Sequence, residues 1–197
     1  MTPILQLVER AAAGDQAAVE RLLEMHLPSV RAFVRAHMGR QLRARESSSD
    51  IVQSVCRELL MHQDRFRHPS EGAFAAWLFT TARRKISNRV RDMERQKRDV
   101  GREETGGEEV DIAELGAAYT RFSSPSASVM RREEIERLEN AMDALTPEHR
   151  EVLTLAHLAG LSRKEIAEQI DSTEEAVRSM LHRAMARLSL LLEGGEG

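Results

Sequence analysis

Leu145-Thr146-Pro147-Glu148-His149-Arg150-Glu151-Val152-Leu153, running on without a long break to Arg187-Leu188, is the stretch that decides the fold. Thr146 before Pro147 reads as a helix start: a hydroxyl to cap the first turn, then a residue whose missing N–H costs nothing there. Gly160 ends that helix, and Ser162 with Glu165 three residues on is a capping box that opens the next. After Ile170-Asp171-Ser172, Thr173 caps a third helix on which Val177, Leu181, Ala184 and Leu188 share one face. Ser179, His182 and Arg183 lie on the opposite face, with Arg178 at its edge. Three helices, two short breaks and a polar, partly basic front make the pattern of a helix-turn-helix DNA reader.

The rest of the chain is also helical in pattern. Ile4, Leu5, Val8 and Ala11 mark a first helix stopped at Gly14, and Asp15 caps a second carried by Val19, Leu22 and Leu23. Pro28 to Met38 continues helical, residues 39–49 read as a polar break, and Asp50 is placed as the cap of a helix reaching about Gln63. A long helix starts near Ala73, apolar at Phe74, Trp77, Leu78 and Ala82, with Trp77 expected in the core. Alternating strand patterns are absent. The expectation is an all-α chain of two small helical domains, residues 1–98 and 129–194, joined by a flexible acidic linker over 99–128. Glycines and Ser123-Ser124-Pro125-Ser126 give that linker little to bury.

Charge is distributed unevenly. The formal net charge is −3, yet Arg83 to Arg98 holds eight Lys/Arg against two Asp/Glu, and Asp99 to Glu114 seven Asp/Glu against one Arg. The basic segment can therefore meet phosphate although the whole chain is slightly acidic. Cations on one helix beside Phe66 and His68 suit single-stranded DNA, where rings stack on unpaired bases. The single cysteine, Cys56, excludes an internal disulfide and a multi-cysteine zinc site, and its company of Ile51, Val52, Val55 and Leu59 marks a packed thiol. A secretory leader and an apolar run of membrane-spanning length are lacking, so a cytoplasmic location without membrane insertion is expected. There is no phosphate-cradling glycine motif, nucleophile elbow or metal-spaced His/Cys set, so neither an enzyme nor a cofactor or metal is expected.

Leu145–Leu153, Gly160-Leu161-Ser162, Glu165-Ile166-Ala167-Glu168 and Val177–Ala184 closely resemble region 4 of bacterial RNA polymerase sigma factors. Ala11–Asp15, Asp50–Val55, Asp64-Arg65-Phe66, Gly72–Leu78 and Ala82-Arg83 resemble region 2 of the same sigma-70 family. A linker joining the two directly, with no room for a region 3 domain, points to the extracytoplasmic-function class. The resemblance implies a factor that binds core RNA polymerase and directs promoter recognition, DNA opening and transcription initiation. It assigns Asp50, Gln53, Ser54 and Arg57 to core polymerase. It assigns Phe66, His68, Arg84 and Asn88 to flipped bases of the minus-ten element, and Arg83, Lys85, Arg89 and Arg91 to its phosphates. Arg178, Ser179, His182 and Arg183 fall at the positions that enter the major groove of the minus-thirty-five element.

Three departures stand out. Met180 and Met185 replace residues that are often arginine, Asn88 replaces a common aspartate, and Asp171 stands at a usual turn glycine. Ser47-Ser48-Ser49 and Ser54 occupy places where the family carries acidic residues. The simple reading of the serine run is helix capping. The sharper one is that a Ser/Thr kinase supplies the missing charge, in place of release from an anti-sigma factor. The rival to a sigma factor is a self-contained helix-turn-helix regulator working without polymerase, which leaves Asp50–Val55 and the Trp77 helix unexplained.

Overall fold

The structure, a computed structural model, describes residues 3–63, 66, 70–97, 119 and 132–193. These form helices and, among the described residues, no strand. α1 (Pro3–Ala12), α2 (Gln16–Arg43), α3 (Ser48–Met61) and α4 (Glu71–Lys97) make an N-terminal bundle. α5 (Arg132–Asp143), α6 (Pro147–His157), α7 (Arg163–Gln169) and α8 (Glu174–Glu193) make a C-terminal one. Gly14 turns the chain from α1 into α2 at φ 88°, a left-handed conformation that a side chain would oppose. Asp15 then caps α2 by accepting from the Ala18 N–H.

Two boundaries differ from the sequence reading. α2 does not end at Met38. Gly39 kinks it at φ 65°, ψ 157°, and the helix continues to Arg43 because Leu42 lies in the core. α3 is capped by Ser47, not by Asp50. The Ser47 hydroxyl accepts from the Asp50 N–H at 3.4 Å, so Asp50 sits in the first turn, where the helix dipole favours a carboxylate.

The N-terminal core is aromatic in the middle. Phe33 meets Phe79 edge-on at 4.9 Å between ring centroids, and Phe66 meets Phe74 edge-on at 5.4 Å. Phe33, Phe74 and Phe79 are fully buried. Trp77, expected in the core, is only half-buried at its edge. One face stacks on Phe66 with planes 7° apart, while Phe74, Leu78 and Phe79 fill the interior.

The bundles pack against one another along α2, so the chain forms one body. Arg35 of α2 grips Glu139 of α5 with two N–H donors, at 2.6 and 3.0 Å. Arg43 donates to Asp143 at 2.5 Å, and Arg40 to Asn140 at 3.2 Å. Gln169 of α7 donates to Thr80 of α4 at 2.8 Å. A Cβ on Gly72 would overlap the Glu165 carboxylate, so this glycine permits the close approach of α4 to the capping box of α7.

The expected linker needs a correction at one place. Tyr119 is fully buried, and its hydroxyl donates to the Ala32 carbonyl at 3.0 Å. An aromatic ring inside an otherwise acidic, glycine-rich stretch carries enough apolar area to dock by itself. The rest of 99–128 lies outside the described residues.

Candidate nucleic-acid interface

The C-terminal surface is built on three caps. Thr146 accepts from the His149 N–H at 3.3 Å with Pro147 in the first turn. Ser162 and Glu165 close the capping box, with the Ser162 N–H 2.8 Å from the Glu165 carboxylate. Thr173 accepts from the Ala176 N–H at 3.2 Å and opens α8. Between α7 and α8, Asp171 adopts φ 53°, which aspartate tolerates better than most residues, so the turn forms without its glycine.

On α8, Val177, Ala184 and Leu188 are buried and Leu181 is half-buried. Arg178, Ser179, His182 and Arg183 are exposed and line one shallow concavity. Arg178 is held by Glu175 one turn earlier at 2.8 Å, an exposed pair that water and salt weaken readily. Met180 and Met185 are half-buried against the core. Two methionines at arginine positions therefore act as packing here.

The N-terminal surface lies on α4, whose Ala82, Ile86 and Met93 face inward. Arg84, Asn88, Arg89 and Arg91 are exposed, and Arg83 and Lys85 are partly covered. Four of these cations are countered by carboxylates that the sequence reading did not single out. Glu58 of α3 pairs with both Arg84 and Lys85, the latter at 2.7 Å. Glu46 lies 3.5 Å from Arg89, and Glu151 of α6 pairs with Arg83. Arg91 donates to the Asn88 side chain. No local pattern announces these pairings, since Glu58 and Glu151 reach their partners only through tertiary packing.

Phe66 does not present its ring to solvent. It is 4% exposed, between Phe74 and Trp77, so in this conformation it acts as a core aromatic and Trp77 offers the more open ring. His68 lies outside the described residues.

On α3, Asp50, Gln53 and Arg57 are exposed and Ser54 is half-buried between them, at spacings that place all four along one strip. Behind it Ile51, Val52, Val55 and Leu59 are buried. Cys56 is half-buried, and burial pushes its thiol up, which keeps it protonated and unreactive. Of the serine run, Ser47 uses its hydroxyl on the cap, Ser48 is buried and Ser49 is exposed. Burial removes Ser48 as a target for modification in this fold.

No helix among the described residues is long and apolar enough to cross a membrane, and none of them group into a metal-binding cluster.

The chain matches the family model for sigma-70 region 2 over residues 22–96 and that for sigma-70 region 4 over residues 135–188. It is 30% identical to the RNA polymerase sigma factor NccH of Alcaligenes xylosoxydans xylosoxydans, covering 96% of this chain and 95% of that one. It is 29% identical to the extracytoplasmic-function sigma factor SigD of Mycobacterium tuberculosis, over 92% of this chain and 80% of that one. Among solved structures it resembles the sigma factor RpoE in complex with the anti-sigma factor NepR from Bartonella quintana. There the TM-score is 0.63 at 22% identity, over 88% of this chain and 96% of that one, a likeness of fold.

Proposed function

Because the chain belongs to the sigma-70 family of RNA polymerase sigma factors, in its extracytoplasmic-function class, we propose a residue-level division of labour for the work it does. It binds core RNA polymerase and directs promoter recognition and transcription initiation. The unit over residues 1–98 engages polymerase and the minus-ten element, and the unit over 129–194 the minus-thirty-five element. No catalytic step falls to this chain. It acts by binding, in the cytoplasm with polymerase.

The observation that carries the reading is the two-sidedness of α8. Val177, Ala184 and Leu188 anchor it, while Arg178, Ser179, His182 and Arg183 stand clear of the core on one surface. A helix held from behind and polar in front enters a major groove without unfolding anything. Asp50, Gln53, Ser54 and Arg57 supply the polymerase-facing strip on α3. Arg84, Lys85, Asn88, Arg89 and Arg91 supply the single-strand track on α4, with Arg83 joining once Glu151 is displaced. Trp77 takes the stacking role assigned to Phe66 in the sequence, since its ring is the one partly open to solvent.

The serine run offers a second, smaller element. With Ser47 capping and Ser48 buried, Ser49 in the first turn of α3 is the position at which a phosphate would be favoured by the helix dipole and would add charge beside the polymerase strip. Ser49→Asp should then bind core more tightly than Ser49→Ala, and equal affinities would remove the kinase from the account. An anti-sigma factor is the other regulator proposed.

The deciding experiment is reconstitution. The chain is expected to co-elute with core polymerase and to direct transcripts whose promoters are protected at both elements. Specific binding to duplex promoter DNA without polymerase, together with no transcripts when polymerase is added, would favour a self-contained regulator.

A further inference from the structure

Arg84, Asn88 and Arg91 recur at helical spacing along α4 and share one exposed face. Two of them touch. The Arg91 guanidinium lies back over its own helix and donates from a terminal nitrogen to the Asn88 side-chain oxygen at 2.5 Å. Its Nε donates to the Ser87 carbonyl at 3.4 Å, so the planar fork is held at two points. Arginine carries N–H donors and no acceptor, so the Asn88 atom that faces it is the oxygen, whichever way the amide is drawn. The outer nitrogen of the fork keeps its donors for a phosphate.

A free asparagine amide is two-sided: its oxygen accepts, its nitrogen donates, and a half-turn of the amide exchanges them. Arg91 closes that exchange. Turning the amide over would set its NH2 against the guanidinium, donor to donor, and lose a charge-assisted hydrogen bond. The second lone pair of the oxygen lies beside the Arg91 charge, which repels the positive hydrogens of a base amine. What Asn88 offers a base is therefore its NH2. Unpaired bases differ in what they offer back. Thymine and guanine carry a keto oxygen where cytosine and adenine carry an amine. An aspartate, common at this place in the family, only accepts and so suits the amines.

We infer that Arg91 is a positioning residue that fixes Asn88 as a hydrogen-bond donor, so that the chain selects a keto base at the minus-ten position Asn88 reads. The inference rests on the placement of Asn88 against a flipped base proposed above. An amine brought to the same place meets an NH2 group, and two donors face each other with no acceptor between them. One hydrogen bond made or left unmade sets the preference at about tenfold. The same guanidinium keeps donors for the neighbouring phosphate, so one residue ties the register of the backbone to the choice of base.

The test uses the full chain bound to core polymerase, with fork-junction promoter DNA in which each unpaired non-template position of the minus-ten element is varied over the four bases. Competition measured by fluorescence anisotropy gives the relative affinity of each. One position should favour thymine and guanine over cytosine and adenine by about tenfold. Asn88→Asp should reverse that preference and leave the other positions as they were. Arg91→Ala should reduce it to within about twofold, and should also flatten the salt dependence by about one phosphate contact. Arg91→Lys keeps the charge but not the fork, so the salt dependence should hold while the keto preference falls to about threefold. Both residues are exposed, so these variants should melt with the unsubstituted chain. An Arg91→Ala chain that binds more weakly but keeps its full keto preference would reduce Arg91 to a phosphate contact and overturn the inference. So would an amino preference in the unsubstituted chain at the position that Asn88→Asp alters. Asn88→Ala separates the two levels. A preference lost in Asn88→Ala and kept in Arg91→Ala sinks the inference alone, whereas Asn88→Ala with every preference intact sinks the base-reading role of Asn88 as well.

Discussion

Glu58 on α3 stands between Arg84 and Lys85 on α4, with the Lys85 ammonium 2.7 Å from its carboxylate. The helix proposed to meet polymerase thus neutralises the helix proposed to meet the minus-ten strand. Docking of polymerase on α3 can free those cations by moving one side chain.

Glu58→Gln should therefore raise the affinity of the free chain for single-stranded DNA and steepen its salt dependence, by roughly one phosphate contact for each cation released. Fluorescence anisotropy across a salt series measures both quantities. An unchanged slope would mean that Glu58 does not restrain these residues.

Core energetics divide between Phe74 and Trp77. Phe74 is fully buried and its loss to alanine should cost about 3–5 kcal/mol. Trp77→Ala should cost less, about 2 kcal/mol, because only part of the ring is removed from water. Denaturant unfolding of both variants checks the order. The reverse order would misplace the centre of the bundle.

DNA contacts should separate by type. Arg178→Ala should weaken binding at the minus-thirty-five element by about 1–3 kcal/mol and relax base preference there, as expected for a bidentate base contact. Arg89→Ala should weaken binding to all sequences alike and flatten the salt dependence. Holoenzyme competition on matched and mismatched promoters distinguishes them, and an equal base-specific loss in both variants would contradict the assignment.

His37 makes the folded chain sensitive to acid. Its Nδ1 lies 3.0 Å from the Phe33 carbonyl and its Nε2 3.5 Å from the Thr154 hydroxyl of the other bundle. Burial, aided by the nearby positive charges of Arg150 and Arg83, lowers its pKa to about 4 from an ordinary 6.5. Between those values the unfolded chain binds a proton that the folded chain refuses. Stability from this residue is complete above about pH 6.5 and declines as pH falls toward 4, by about 3 kcal/mol in all. Unfolding midpoints measured across that window should show the slope, and His37→Gln should flatten it.

The sequence by itself determined the helices and their order. Thr146-Pro147, the Ser162–Glu165 box, Thr173 and the left-handed Asp171 were legible because capping and turn chemistry act within three or four residues. The exposed face of α8 was legible for the same reason, since Val177, Ala184 and Leu188 repeat at helical spacing. Tertiary structure decided the remainder. Phe66 and Trp77 are both aromatic residues beside a basic helix, and only packing determined that one is enclosed and the other half-open. Glu58 and Glu151 look like any surface carboxylate until folding sets them against Arg84, Lys85 and Arg83. Arg35 and Glu139 are 104 residues apart, and Tyr119 is 87 from the carbonyl it bonds. Contacts at that separation leave no periodicity in the chain, because the free energy that selects them comes from closing two bundles on each other, not from any local turn.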